Sequence, residues 1–127
     1  MLEILSVGFG GFLGSCARYL ISKLTNQISP SFPLGTLLSN VLAGFLIGFI
    51  INFERQTAVL PDRIKLFLTV GLLGGLSTFS SFSIETVRMF ENKNFIGAGG
   101  NVMLNVGLSI IFAVFGMAAA GLLLGKR

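Results

Sequence analysis

Long uncharged runs separated by short polar stretches dominate this chain, and four of them are long enough to cross a bilayer as helices. Read from the charges and turn residues that bound them, the spans fall at about residues 4–24, 32–53, 64–89 and 97–124. Small residues recur at helical spacing inside them: Gly10, Gly11, Gly14 and Ser15 in the first, Gly44 and Gly48 in the second. Such positions let helix backbones approach closely in lipid. Polar linkers hold Pro30 and Pro33 after the first span and Pro61 after the second. The pattern predicts an all-α membrane protein, one four-span unit over residues 1–127.

The third span departs from the others. It is uncharged from Leu66 to Ile84, yet its centre reads Gly74-Gly75-Leu76-Ser77-Thr78-Phe79-Ser80-Ser81-Phe82-Ser83. Paired glycine weakens a helix, and Ser and Thr offer the backbone competing hydrogen bonds. Unwound backbone survives in hydrocarbon only where protein buries it or where it lines a polar cavity. This predicts a third helix broken at mid-membrane, with its second half starting near Ser77 and an ion or substrate site at the break.

Other polar groups sit on apolar helices at helical steps. Thr36 and Asn40 are four apart, as are Asn101, Asn105 and Ser109. Each set is either a hydrogen-bonded packing seam or a pore wall. Phe79, Phe82 and Glu85 follow one another at steps of three. Arg18, with Tyr19 beside it, interrupts the first span. It either snorkels to the interface or is an intramembrane cation that braces another helix end or gathers anions at a pore mouth.

Composition narrows the chemistry. The chain is 53% hydrophobic and 11% charged, where a soluble domain carries about 25% charged residues. With no His, a single Cys and no phosphate-binding glycine loop, neither an enzyme nor a His-ligated metal site is expected. Cys16, in an apolar run, is expected to pack. The net charge of +4 has no basic run beyond Lys126-Arg127 and predicts loop anchoring in lipid, with no nucleic acid. Arg55, Arg63, Lys65, Lys126 and Arg127 fall on one side, against Lys23, Lys93, Arg88 and Arg18 on the other. So small a bias specifies orientation poorly and favours an oligomer, including an antiparallel one. Hydroxyls, amides, helix ends and aromatic edges remain for chemistry, and donors of this kind favour anions.

Three motifs resemble those of the small bacterial fluoride channels, the Fluc or CrcB family. They are Gly10-Gly11-Phe12-Leu13-Gly14-Ser15-Cys16-Ala17-Arg18-Tyr19, Gly35-Thr36-Leu37-Leu38-Ser39-Asn40, and the run from Gly74 to Glu85. The departures are Ser15 for the usual Ala, Ala43 for Gly, Ser77 and Ser81 for Thr, and amides at Asn101 and Asn105 where hydroxyls are common. The resemblance implies a fluoride-selective channel of the bacterial inner membrane, passively exporting fluoride from the cytoplasm. It implies an antiparallel dual-topology homodimer with two pores and a structural sodium ion on its axis. The sodium ligands would be the carbonyls of Gly74 and Ser77. The fluoride pore would use Asn40, Phe79, Phe82, Ser80, Ser83, Thr36, Asn105 and Ser109, with Arg18 at the vestibule and Glu85 as the acid after the second Phe. Two alternatives come from other classes. A small proton-coupled multidrug exporter would want a carboxylate inside the first span, where only terminal Glu3 stands. A non-transporting membrane subunit would leave the hydroxyl-rich run unexplained.

Overall fold

The structure is a computed structural model that describes residues 1–125. Its elements are α1 (Leu2–Ile28), α2 (Leu34–Thr57), α3 (Asp62–Leu66), a π-helical stretch (Phe67–Leu73), α4 (Gly74–Leu76), α5 (Phe79–Glu91) and α6 (Phe95–Leu123). Four stretches are long and apolar enough to cross a membrane: Leu2–Ile28, Leu34–Thr57, Asp62–Glu91 and Phe95–Leu123. The described residues contain no strand.

The helices run past the expected ends of the apolar segments. α1 continues through Thr25, whose hydroxyl donates back to Ile21 O at 2.8 Å, and the first linker shrinks to Ser29–Pro33. Pro33 and Pro61 cap the starts of α2 and α3, where a missing N–H is harmless. α2 ends on Ala58 in the left-handed conformation, with φ 49°. Asn94 opens α6 by accepting from the Gly97 N–H at 2.9 Å. The segments expected as loops over 54–65 and 90–95 therefore reduce to 58–61 and 92–94. Lys126 and Arg127, counted above toward orientation, lie outside the described residues.

Glycine seams hold the bundle. α1 lies against the first half of the third span, where a Cβ on Gly10 would stand 2.5 Å from Phe67 O. One on Gly14 would strike Leu72 O and Leu76 N. α2 lies along α6, with a Cβ on Gly44 reaching 2.6 Å from Ser109 O, one on Gly48 striking Ala113 O, and one on Gly116 striking Phe45 O. Backbone meets backbone at both seams, the packing that small residues permit in lipid.

The buried apolar core is small, centred on Ala43, Leu73 and Leu76. Large apolar residues such as Phe12, Ile96, Met103 and Leu122 point outward. That outward face suits hydrocarbon as solvent. Cys16 is exposed on α1, not packed within the chain as expected, because Gly14 and Ala17 occupy the inner side of that helix.

Candidate functional site

The site is built where α4 stops. Ser77 (φ −77°, ψ 150°) and Thr78 (φ −151°, ψ 121°) are both extended, and α5 begins at Phe79. Two extended residues remove the donors that would close the last helical turn. The Thr78 N–H, which a continuous helix would send to Gly74 O, donates instead to Asn40 Oδ1 at 2.8 Å. The Ser81 N–H, the continuous-helix donor to Ser77 O, goes to Thr78 Oγ1 at 3.2 Å and caps α5. The carbonyls of Gly74 and Ser77 have thus each lost their helical partner.

Asn40 repairs the other side. Its Nδ2 donates to Thr78 O at 3.3 Å and to Asn105 Oδ1 at 2.9 Å. Both amide hydrogens are engaged, so Asn40 serves as a bridge from α2 to the α4–α5 connection and to α6. Asn105 Nδ2 in turn donates to Asn101 Oδ1 at 2.8 Å, and Asn101 Nδ2 to Thr86 Oγ1 at 2.9 Å.

A groove of about 360 Å³ opens beside this network. Among the residues lining it are Asn40, Gly74, Ser77, Phe79, Phe82, Asn105 and Ser109. It is mostly apolar, with few polar atoms. The Ser109 hydroxyl is buried and has no partner. The Phe79 and Phe82 rings stand 5.5 Å apart and tilted by 54°. Phe82 is 8% exposed and Phe79 78%, so one ring is fixed in the core and the other faces out of the chain.

The remaining expected residues lie outside the groove lining. The Thr36 hydroxyl donates to Glu85 Oε1 at 2.7 Å, while Glu85 Oε2 is buried without a partner. Ser83 Oγ turns back to Phe79 O at 2.8 Å, and exposed Ser80 meets Thr78 Oγ1 at 3.2 Å. Arg18 Nε donates to Gly75 O at 3.2 Å, so of the roles open to it in sequence it takes the one that braces a helix end. Among the described residues, no cluster of three or more His, Cys, Asp or Glu side chains could hold a metal.

In sequence Thr78 is read only as part of the hydroxyl-rich run and Thr86 is not singled out, although both are central to this network. The N-cap preference of Thr ahead of a helical run could have found Thr78. No local signal marks Thr86, whose partner stands on another helix.

A family model described as "CrcB-like protein, Camphor Resistance (CrcB)" matches residues 5–117. This chain belongs to that family. A protein of Clostridium perfringens named "Fluoride-specific ion channel FluC" is 46% identical over 124 residues, 97% of each chain. Relatives of the same name from Clostridium novyi (42% identical, 88% of each chain) and Paraburkholderia phymatum (40% identical, 91% of this chain and 92% of that one) are also similar. With its four apolar helices, this CrcB-family chain is a multi-pass bacterial membrane protein.

Proposed function

We propose that this chain is a fluoride channel that lets the ion leave the cytoplasm down its gradient across the inner membrane. The observation that carries this is the groove at the α4–α5 connection. It joins a helix N-terminus, an unpartnered hydroxyl and two tilted aromatic rings in one mostly apolar recess. The start of α5 carries a partial positive charge, and ring edges are weakly positive. A small, strongly hydrated anion needs donors in place of water, and neutral dipoles supply them without trapping it. The printed names of the relatives supply the identity of the ion.

Asn40 meets the anion with one hydrogen. Its bond to Asn105 is short, whereas that to Thr78 O is 3.3 Å and the easier to exchange for an anion. Ser109 adds its free hydroxyl from the α6 side. Phe82 forms a fixed wall and Phe79 the outer one. The hydroxyls of Ser80 and Ser83 continue the route along α5 past Thr36 and Glu85, with Arg18 drawing anions toward its mouth.

The working unit of this reading is a homodimer of antiparallel, dual-topology subunits with two pores. In a single chain the groove is open-sided and Phe79 lies outside, an arrangement that hydrocarbon penalises unless protein covers it. Described cations are balanced: Arg55, Arg63 and Lys65 stand at one end, Lys23, Arg88 and Lys93 at the other. Arg18 is drawn inward to Gly75 O.

A sodium ion fits this arrangement. Gly74 O and Ser77 O are hard oxygen donors that have lost their helical partners, near the negative end of α4. Once bound, the cation would neutralise carbonyls that two broken helices bring together.

The test is fluoride efflux from liposomes containing the purified chain, with chloride as control. Fluoride is expected to drain rapidly and chloride to stay. Retention of fluoride under a gradient would remove the reading.

A further inference from the structure

Asn101 lies beyond the groove lining, is fully buried, and carries two side-chain bonds, one to Thr86 and one to groove-lining Asn105. We infer that Asn101, anchored by Thr86, is a positioning residue that sets the polarity of the Asn40 amide and so keeps a donor turned toward the anion. This rests on the fluoride reading above.

The argument follows one direction of hydrogen bonding. Thr86 has a single hydroxyl hydrogen, and it goes to Phe82 O at 2.8 Å. Toward Asn101, Thr86 Oγ1 can therefore only accept, and it does so from Asn101 Nδ2 at 2.9 Å. That leaves Asn101 Oδ1 facing Asn105, where it accepts from Nδ2 at 2.8 Å. Asn105 Oδ1 is then the acceptor for Asn40 Nδ2 at 2.9 Å, and Asn40 Oδ1 faces the Thr78 N–H at 2.8 Å. Each amide has a donor end and an acceptor end, so fixing one fixes the next.

The relay starts on α5, crosses α6 and α2, and returns to the residue just before α5. Reversing it would turn Asn40 Oδ1 toward Asn105 and the groove, where a carbonyl oxygen repels an anion. It would also leave the Thr78 N–H facing an N–H. Burial makes that reversal unfavourable, since an unsatisfied buried donor costs about 1–3 kcal/mol. Asn101 is 0% exposed and Asn105 4%, so water does not compete for these bonds.

The test compares fluoride efflux for the native chain, Thr86→Val and Thr86→Ser in the same liposomes. Valine keeps the shape of threonine and removes the oxygen on which the relay ends, whereas serine keeps that oxygen. Flux is expected to fall about tenfold in Thr86→Val, with fluoride-over-chloride discrimination falling too, and to stay within about twofold in Thr86→Ser. The Asn40 side-chain ¹⁵N resonance is expected to move in Thr86→Val, although the relay reaches Asn40 only through Asn101 and Asn105. A merely local packing role would not move it. Native flux in Thr86→Val, or an unmoved Asn40 resonance, overturns the assignment. Should Thr86→Val fail to fold, hydrogen exchange in the native chain decides. The Asn105 side-chain amide is expected to exchange about a hundredfold more slowly than that of exposed Asn92, and equal rates overturn the relay. A native chain that passes no fluoride removes the fluoride reading, while exchange and resonance still report on the amide order.

Discussion

At the scale of single residues, the two phenylalanines show how one sequence step can separate roles. They lie three apart on α5, yet Phe82 is buried beside the groove while Phe79 faces outward. Phe82 is therefore the aromatic wall of the proposed passage that a single chain holds in place. Replacing it by a branched aliphatic of smaller volume keeps an apolar wall and removes the positive edge. Were the edge contact to the anion as strong as an aromatic pair, about 0.5–1.5 kcal/mol, its loss would be roughly a tenfold effect at the upper end. Phe82→Ile is expected to lower fluoride efflux by about that factor while the protein still inserts and purifies. Full flux would remove the aromatic from the pathway. Asn40 is the opposite case. Its spacing from Thr36 placed both on one face of α2, but only the folded chain shows both amide hydrogens engaged.

At the scale of elements, the seams were the most legible part of the chain. Gly10 and Gly14 announce a close approach by spacing alone, and α1 does lie backbone to backbone against the π-helical stretch and α4. Gly14→Ala puts a methyl group into Leu72 O and Leu76 N, both backbone atoms that cannot swing aside. Overpacking of this kind costs about 1–3 kcal/mol. A drop of several degrees in the detergent melting temperature is expected, with Gly8→Ala unchanged because nothing stands within 4 Å of its added Cβ. Equal melting of the two variants would show that the seam yields. Other features could not be read from spacing. The Asn101–Thr86 bond joins residues fifteen apart on two helices and depends on how each is rotated about its axis. The choice between snorkelling and bracing for Arg18 turned on where Gly75 O stands. The misjudged helix ends share one cause: apolar runs mark where lipid ends, whereas helices stop at caps such as Ala58 and Asn94.

At the scale of the whole molecule, the open groove and the balanced flanks address one question from two sides. The proposed dimer would cover a mostly apolar recess whose Phe79 wall is exposed in the single chain. If the carbonyls of Gly74 and Ser77 hold the sodium ion of the proposed dimer, fluoride efflux is expected to decline when the protein is purified and assayed without sodium. The same flux in both preparations would remove the ion from the account. Orientation is decided separately. Three described cations at each end give the insertion machinery little to choose between, since orientation follows the difference and not the total. Dual topology can be read with one cysteine. Cys16 is exposed on α1 and is expected to accept Ser without loss of flux. In that background Asn92→Cys puts a thiol in the short 92–94 turn, exposed to solvent and without removing any of the cations counted above. An impermeant thiol reagent added outside intact cells is expected to label about half of the protein, and disruption of the membrane the remainder. Labelling of nearly all or nearly none from outside would mean a single orientation, and an antiparallel dimer could not then form.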